Sequence, residues 1–250
     1  MLLGEPPRTQ GDLHFRAFGI PVRIHPFFWI IAILLGLRSP ELLELLAWVI
    51  ALFVAILVHE LGHAFLMRRF GLSPWITLYG FGGLTTYNPS ESYRARNILE
   101  WQNVAISAAG PAAGFLLAAT VVGIFVALRQ PVQILFGPPY GIFIHVGQIG
   151  SPAFTMFINY LLFISIFWGI INLMPVYPLD GGQIARELLV RANPQTGIQK
   201  SLMLSTLTAT ALAVVGLIVW KSFLVCIFFG YMAYGSYTTL QAYNTRGPRW

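Results

Sequence analysis

The sequence predicts an all-α integral membrane protein, with six transmembrane helices and a small β-sheet at the cytoplasmic membrane interface. Three observations carry that expectation. First, 56% of the 250 residues are hydrophobic and only 10% are charged, with a mean hydropathy of +0.70. Soluble domains carry about 25% charged residues, and disordered chains are richer still in charge, so both classes are excluded. Second, six apolar stretches approach the length needed to cross a bilayer. Third, Lys and Arg divide 12 to 3 between alternate connecting segments, which places both termini in the cytoplasm. The net charge of +6 is therefore read by position, and no nucleic-acid partner is expected.

In chain order, residues 1–18 form a short cytoplasmic segment without the marks of a cleaved signal peptide. Gly19–His25 alternates Ile20, Val22 and Ile24 with other residues, the period of a strand. The first span, 26–37, is only about 18 Å long at 1.5 Å per residue, so it must tilt, thin the bilayer or sit within protein. The second, 41–66, is well announced. Ser39 suits an N-cap, Pro40 the first helical position, and Glu41 and Glu44 the positive end of the dipole. Ile76–Tyr87 sets β-branched and aromatic residues around Gly-Phe-Gly-Gly and reads as a strand or hairpin. Spans follow at 101–128, 152–172, 201–219 and 222–240. Residues 129–151 read as an outer connection rich in Gly and Pro, and Ile184–Ala192 as a short amphipathic surface helix. Cys226 is the single cysteine, so no disulfide framework or thiolate cluster is expected. Residues 1–250 are taken as one domain.

Ionisable side chains inside a span cost a few kcal/mol each and mark function. The second span holds three together, His59, Glu60 and His63, in the order His-Glu-x-x-His. Positions i and i+4 share a helix face, so both imidazoles can address one cation with a general base beside them. At this composition the motif arises by chance in roughly three chains per thousand. Buried histidines that satisfy one another are the plainer reading; three ionisable groups in one apolar span argue against it. A catalytic zinc takes three protein ligands and keeps one position open. Asp12 and Asp180 are the only aspartates, and Asp180 follows the fourth span on the predicted side of the histidines. There Pro175 and Pro178 break the helix, and Gly181-Gly182 permits a tight turn that swings the carboxylate back. The ion would lie roughly 8–14 Å below the cytoplasmic face.

Together, HELGH at 59–63 and NLMPVYPLDGG at 172–182 resemble the site-2 protease family of intramembrane zinc metalloproteases. GIPVRIHP at 19–26, FGGL at 81–84 and AAGP at 108–111 extend the resemblance over most of residues 19–190. It is to the six-span branch, without an inserted PDZ or a C-terminal CBS-type domain. The resemblance implies one Zn2+ held by His59, His63 and Asp180, with Glu60 as base and proton shuttle. It also implies hydrolysis of peptide bonds in or near transmembrane segments of membrane-protein substrates, close to the cytoplasmic face of a bacterial or archaeal cell (inner) membrane. The implied partners are such a substrate and the lipid bilayer; a regulatory membrane partner is left unspecified.

A substrate helix must unwind before it is cut, and its freed backbone needs new partners. The edge of the Ile76–Tyr87 region offers them by strand addition, with Phe81, Gly82 and Gly83 at its centre. Asn172 is a candidate for holding the substrate backbone or an oxyanion. A membrane transporter or metal-binding protein using the same His and Asp residues without proteolysis stays open as an alternative. A prenyl-peptide processing metalloprotease fits less well, since such enzymes commonly take Glu as third ligand and no later span holds one. Gly110 and Gly114 are expected to serve helix packing beside a kink at Pro111. His25 is expected at the interface, and His145 on the outer side.

Overall fold

A computed structural model describes residues 5–37, 41–80, 82–88, 98–137 and 141–246. The chain opens with a hairpin, β1 (Leu13–Ala17) and β2 (Ile20–Ile24), and runs from β2 into α1 (Pro26–Gly36). α2 (Leu42–Arg69) leads to a second hairpin, β3 (Pro74–Tyr79) and β4 (Gly82–Tyr87). Then come α3 (Glu100–Ala127), a third hairpin of β5 (Val132–Gly137) and β6 (Gly141–Val146), and α4 (Pro152–Asn172). α5 (Asp180–Ala192), α6 (Gly197–Ile218) and α7 (Phe223–Arg246) complete the order. Ser39, Pro40 and Phe81 lie outside the described residues.

Five helices, α2, α3, α4, α6 and α7, are long and apolar enough to cross a membrane. They match the expected spans to within a few residues. The expected first span exists as α1, but its 11 residues cover only about 16 Å. His25 caps it: the Nδ1 accepts from the Phe27 N–H at 3.2 Å. Phe28 and Ala32 of α1 are buried against the sheet and α2, so this helix is embedded on one side in protein. Elsewhere the apolar faces point outward. Leu116, Leu207, Ile218 and Phe223 are each 68–70% exposed, a surface stable only in contact with lipid.

The four-stranded sheet has the order β1-β2-β3-β4. β2 and β3 pair in parallel across α1 and α2, with Val22 opposite Ile76, while each hairpin is antiparallel. The regions of β2 and of the β3–β4 hairpin were legible beforehand and β1 was not. Its residues LHFRA are mostly exposed and carry no buried face. Phe18 and Gly19, both with positive φ, make the two-residue turn that sets its register. Ile20, Val22, Ile24, Ile76 and Leu78 form one core with Ala51, Ala55 and Ile56 of α2 and Ile164 of α4. The sheet is thereby locked to the helix that carries the His-Glu-x-x-His motif.

Two buried devices fasten the periphery. Arg23 of β2 is 6% exposed, and a buried guanidinium requires partners. It donates to Glu5 and Asp12, each at 2.9 Å, and to the Pro6 carbonyl at 2.8 Å, so residues 5–12 wrap over the sheet. At the far end, α6 and α7 pack against each other. The Ser205 hydroxyl meets the Ser236 hydroxyl at 2.7 Å and accepts from the Tyr177 N–H at 2.7 Å. The Gly- and Pro-rich connection proves to hold the β5–β6 hairpin, with Val132 opposite Val146.

Candidate metal centre

The three candidate ligands come from two elements. His59 and His63 sit one turn apart on α2, both buried, 3% and 6% exposed. Asp180 arrives from the far side of the chain. α4 stops at Asn172, the chain passes through Leu173–Leu179 without a helix, and Asp180 is the first residue of α5. Here the expectation needs a correction: Gly181 and Gly182 lie in the first turn of α5 and make no free turn of their own. Their lack of side chains serves packing. A Cβ on Gly181 would come within 2.1 Å of the Leu173 carbonyl oxygen, and one on Gly182 within 2.5 Å of the Tyr177 nitrogen. The segment folds back on itself tightly enough to aim Asp180 at α2.

The ligand atoms of His59, His63 and Asp180 all lie within 4.8 Å of one another. His59 Nε2 is 3.1 Å from Asp180 Oδ2 and 3.2 Å from His63 Nε2, and His63 Nε2 is 3.4 Å from Asp180 Oδ1. Ligands about 2.1 Å from a tetrahedral ion stand about 3.4 Å apart, so this set fits zinc. The outer contact also suits it. His63 Nδ1 donates to the Ile106 carbonyl at 2.6 Å, which fixes the tautomer that leaves the Nε2 lone pair facing His59 and Asp180.

Gly110 of α3 was expected to serve helix packing, and the structure gives it a sharper place. A Cβ there would fall 2.2 Å from His63 Nε2 and 2.7 Å from His59 Nε2. The glycine is the floor of the metal cluster. Its neighbour Gly114 keeps the packing role, with a Cβ meeting the Ser165 carbonyl at 3.2 Å.

Glu60 is 4% exposed and lies beside the cluster without belonging to it. Thr85 of β4 donates to its Oε2 at 2.7 Å. The cavity around these residues has a volume of about 360 Å³ and is lined by Tyr79, Gly83, Leu84, Thr85, Trp168 and Asn172 among others. Burial, and secondarily the negative charge of Glu60, pushes the Tyr79 hydroxyl above its ordinary pKa, so it remains a proton-bearing phenol. Asn172 reaches back to its own helix, donating from Nδ2 to the Trp168 carbonyl at 2.9 Å. His145 lies on β6, away from the cluster. The places of Thr85, Gly110 and Ile106 beside the cluster escaped the sequence reading. Gly110 alone left a signal, in its Ala-Ala-Gly-Pro setting.

A membrane-embedded helical bundle with a buried His-His-Asp cluster and an adjacent glutamate defines a class: polytopic membrane proteins built around a metal centre. A family profile, Peptidase family M50, matches residues 47–215, and the chain belongs to that family, which includes the site-2 proteases. It is 25% identical over 211 residues to a zinc metalloprotease of Methanocaldococcus jannaschii, covering 82% of this chain and 52% of that protein. It is 30% identical over 179 residues to stage IV sporulation protein FB of Bacillus subtilis, covering 70% of this chain and 50% of that protein. The chain thus spans about half the length of the curated relatives it matches. Among solved structures, the site-2 protease from M. jannaschii shares the fold, with a TM-score of 0.54 and 21% identity over 91% of this chain and 94% of that one.

Proposed function

We propose that this chain is an intramembrane zinc endopeptidase that hydrolyses peptide bonds in or near transmembrane segments of membrane-protein substrates, close to the cytoplasmic face. The observation that carries the reading is the convergence of His59, His63 and Asp180 within 4.8 Å, with Glu60 beside them and outside the ligand set. A zinc ion bound there supplies Lewis acidity, polarising the scissile carbonyl and acidifying the attacking water. Glu60 takes the proton of that water and returns it to the leaving amine. The hydrocarbon packing of α2, α3 and α4 keeps bulk water from the sides, so water enters from the end where the sheet lies.

The substrate binds in this reading as an added strand. β4 ends the sheet order, and three consecutive residues of it, Gly83, Leu84 and Thr85, line the cavity. Consecutive strand residues point to opposite faces, so all three can line one space only where the strand presents its edge. An unwound peptide finds backbone partners on that edge at Gly82 and Gly83, whose bare faces are packed by Trp168 and Glu60. Phe81 belongs to the same proposal. Asn172 holds the substrate backbone or the developing oxyanion. The chain works as a single polytopic domain in a bacterial or archaeal cell membrane. α1 serves as a sixth, short span set against the sheet and α2, and both termini are cytoplasmic.

The test is Glu60→Gln, co-expressed with a single-span reporter. Zinc stays at one per chain while cleavage falls by about 10²–10⁴-fold. A Glu60→Gln protein that cleaves normally removes the base assignment. If wild-type chain never cleaves but changes a transmembrane ion gradient in a manner dependent on His59 and Asp180, the transporter reading takes its place.

A further inference from the structure

We infer that Thr85 is a positioning residue for the reaction, holding the Glu60 carboxylate in the orientation that proton transfer needs. The inference rests on the reading of Glu60 as the base. Its evidence is the contact between β4 and α2. The Thr85 hydroxyl donates to Glu60 Oε2 at 2.7 Å and lies 3.1 Å from the Glu60 carbonyl oxygen, so one side chain ties the strand to both parts of a single helical residue.

Gly83, two residues earlier on the same face of β4, completes the seat. A Cβ there would lie 2.3 Å from Glu60 Cγ and 2.4 Å from Oε1, so the carboxylate lies flat against bare backbone. Glu60 has three rotatable side-chain bonds, and a glutamate left to itself samples several rotamers. Packing on Gly83 removes some of these, and the bond to Oε2 removes the rest. The carboxylate is thereby held at both oxygens, Oε1 against Gly83 and Oε2 by Thr85. A buried carboxylate also requires donors, and Thr85 gives one without bringing a competing positive charge beside the metal.

The strand that holds Glu60 is the one whose edge lines the cavity. Inward, through Gly83 and Thr85, β4 seats the base. Along its edge it receives substrate. A peptide added to β4 is therefore registered against the base by a strand common to both, and displacement of a reacting group by about 1 Å costs roughly a hundredfold in rate.

The experiment compares full-length wild type, Thr85→Val, Thr85→Ser and Glu60→Gln with a purified single-span substrate in proteoliposomes. Thr85→Val keeps the side-chain volume and removes the donor. It is expected to lower kcat by roughly ten- to a hundredfold with KM unchanged, and Thr85→Ser to recover most of that loss. Zinc per chain should match wild type in both, and the cooperative thermal transition should persist, lowered in Thr85→Val by no more than the loss of one buried donor. In the metal-free protein, the infrared carboxylate band that Glu60→Gln removes should move in Thr85→Val and return in Thr85→Ser. Wild-type kcat in Thr85→Val overturns the inference. So does loss of zinc or of the thermal transition in Thr85→Val, which makes the threonine a structural support. If Glu60→Gln itself cleaves normally, the reading of the base fails, and that outcome is distinct from an inactive Glu60→Gln beside a fully active Thr85→Val.

Discussion

The two halves of the helical bundle are built differently. α2, α3 and α4 pack on one another and on the sheet, and every residue of the cluster except Asp180 comes from that half. α6 and α7 pack chiefly on each other. They meet the rest through α5, the 173–179 segment, and a core that joins Val176 and Ile171 to Ala209, Phe229 and Met232. The contrast teaches where rigidity is placed. Metal ligands require positions fixed to tenths of an ångström, and close backbone contact at Gly110 and Gly83 supplies that in the first half. In the second, a few hydroxyls hold a pair of helices beside the loop that delivers Asp180.

The largest expected effect separates the site from the fold. Gly110→Ala puts a methyl carbon against both imidazoles, and His63 cannot retreat because its Nδ1 is held by the Ile106 carbonyl. Zinc per chain should fall well below one and cleavage should vanish. Alanine is favoured over glycine in a helix by about 1 kcal/mol, so the helical circular dichroism should persist. Full zinc occupancy in Gly110→Ala would show that the metal half is softer than its contacts imply.

Ser205→Ala probes the other half. It strips a buried partner from the Tyr177 N–H and from the Ser236 hydroxyl, a loss of about 1–3 kcal/mol. The thermal midpoint should drop while zinc content stays at the wild-type level. Zinc loss in this variant would make the α6–α7 pair part of the metal site.

The smallest effect lies at the strap over the sheet. The Thr9 hydroxyl first, then the Thr9 N–H and Arg23, hold Asp12 down to about 2 against the opposing influence of burial. Because the folded value lies below the ordinary 3.8, the stabilisation is complete above that pH and disappears as pH falls through about 2. The difference in thermal midpoint between wild type and Asp12→Asn should therefore be constant near neutrality and shrink below pH 3.8. A difference that persists unchanged in stronger acid would mean that Asp12 acts through hydrogen bonds that its protonated form keeps.

How much could be read in the chain follows the range of each interaction. His59, Glu60 and His63 were legible because four residues of helix bring them to one face, a local rule. The meeting of Asp180 with the two histidines was legible because aspartates are so few that one candidate stood on their side. Thr85 was not, because a threonine in a β-branched run looks like any strand residue, and its partner lies 25 positions away. The β5–β6 hairpin was masked by glycine and proline, and β1 by its lack of a buried face.

The sequence by itself determined a membrane protein with a two-histidine motif in one span and a single plausible carboxylate to complete it. Apolar length, helical period and charge sidedness act through nearest neighbours and solvent, and need no tertiary contact to be read. Only the tertiary structure decided that Gly110 floors the cluster, that Ile106 sets the imidazole, and that β4 meets Glu60. Each of these joins segments distant in sequence, at 2.6 Å for His63 and Ile106, at 2.7 Å for Thr85 and Glu60, and with no room for a Cβ at Gly110, and such contacts exist only once the helices and sheet have packed.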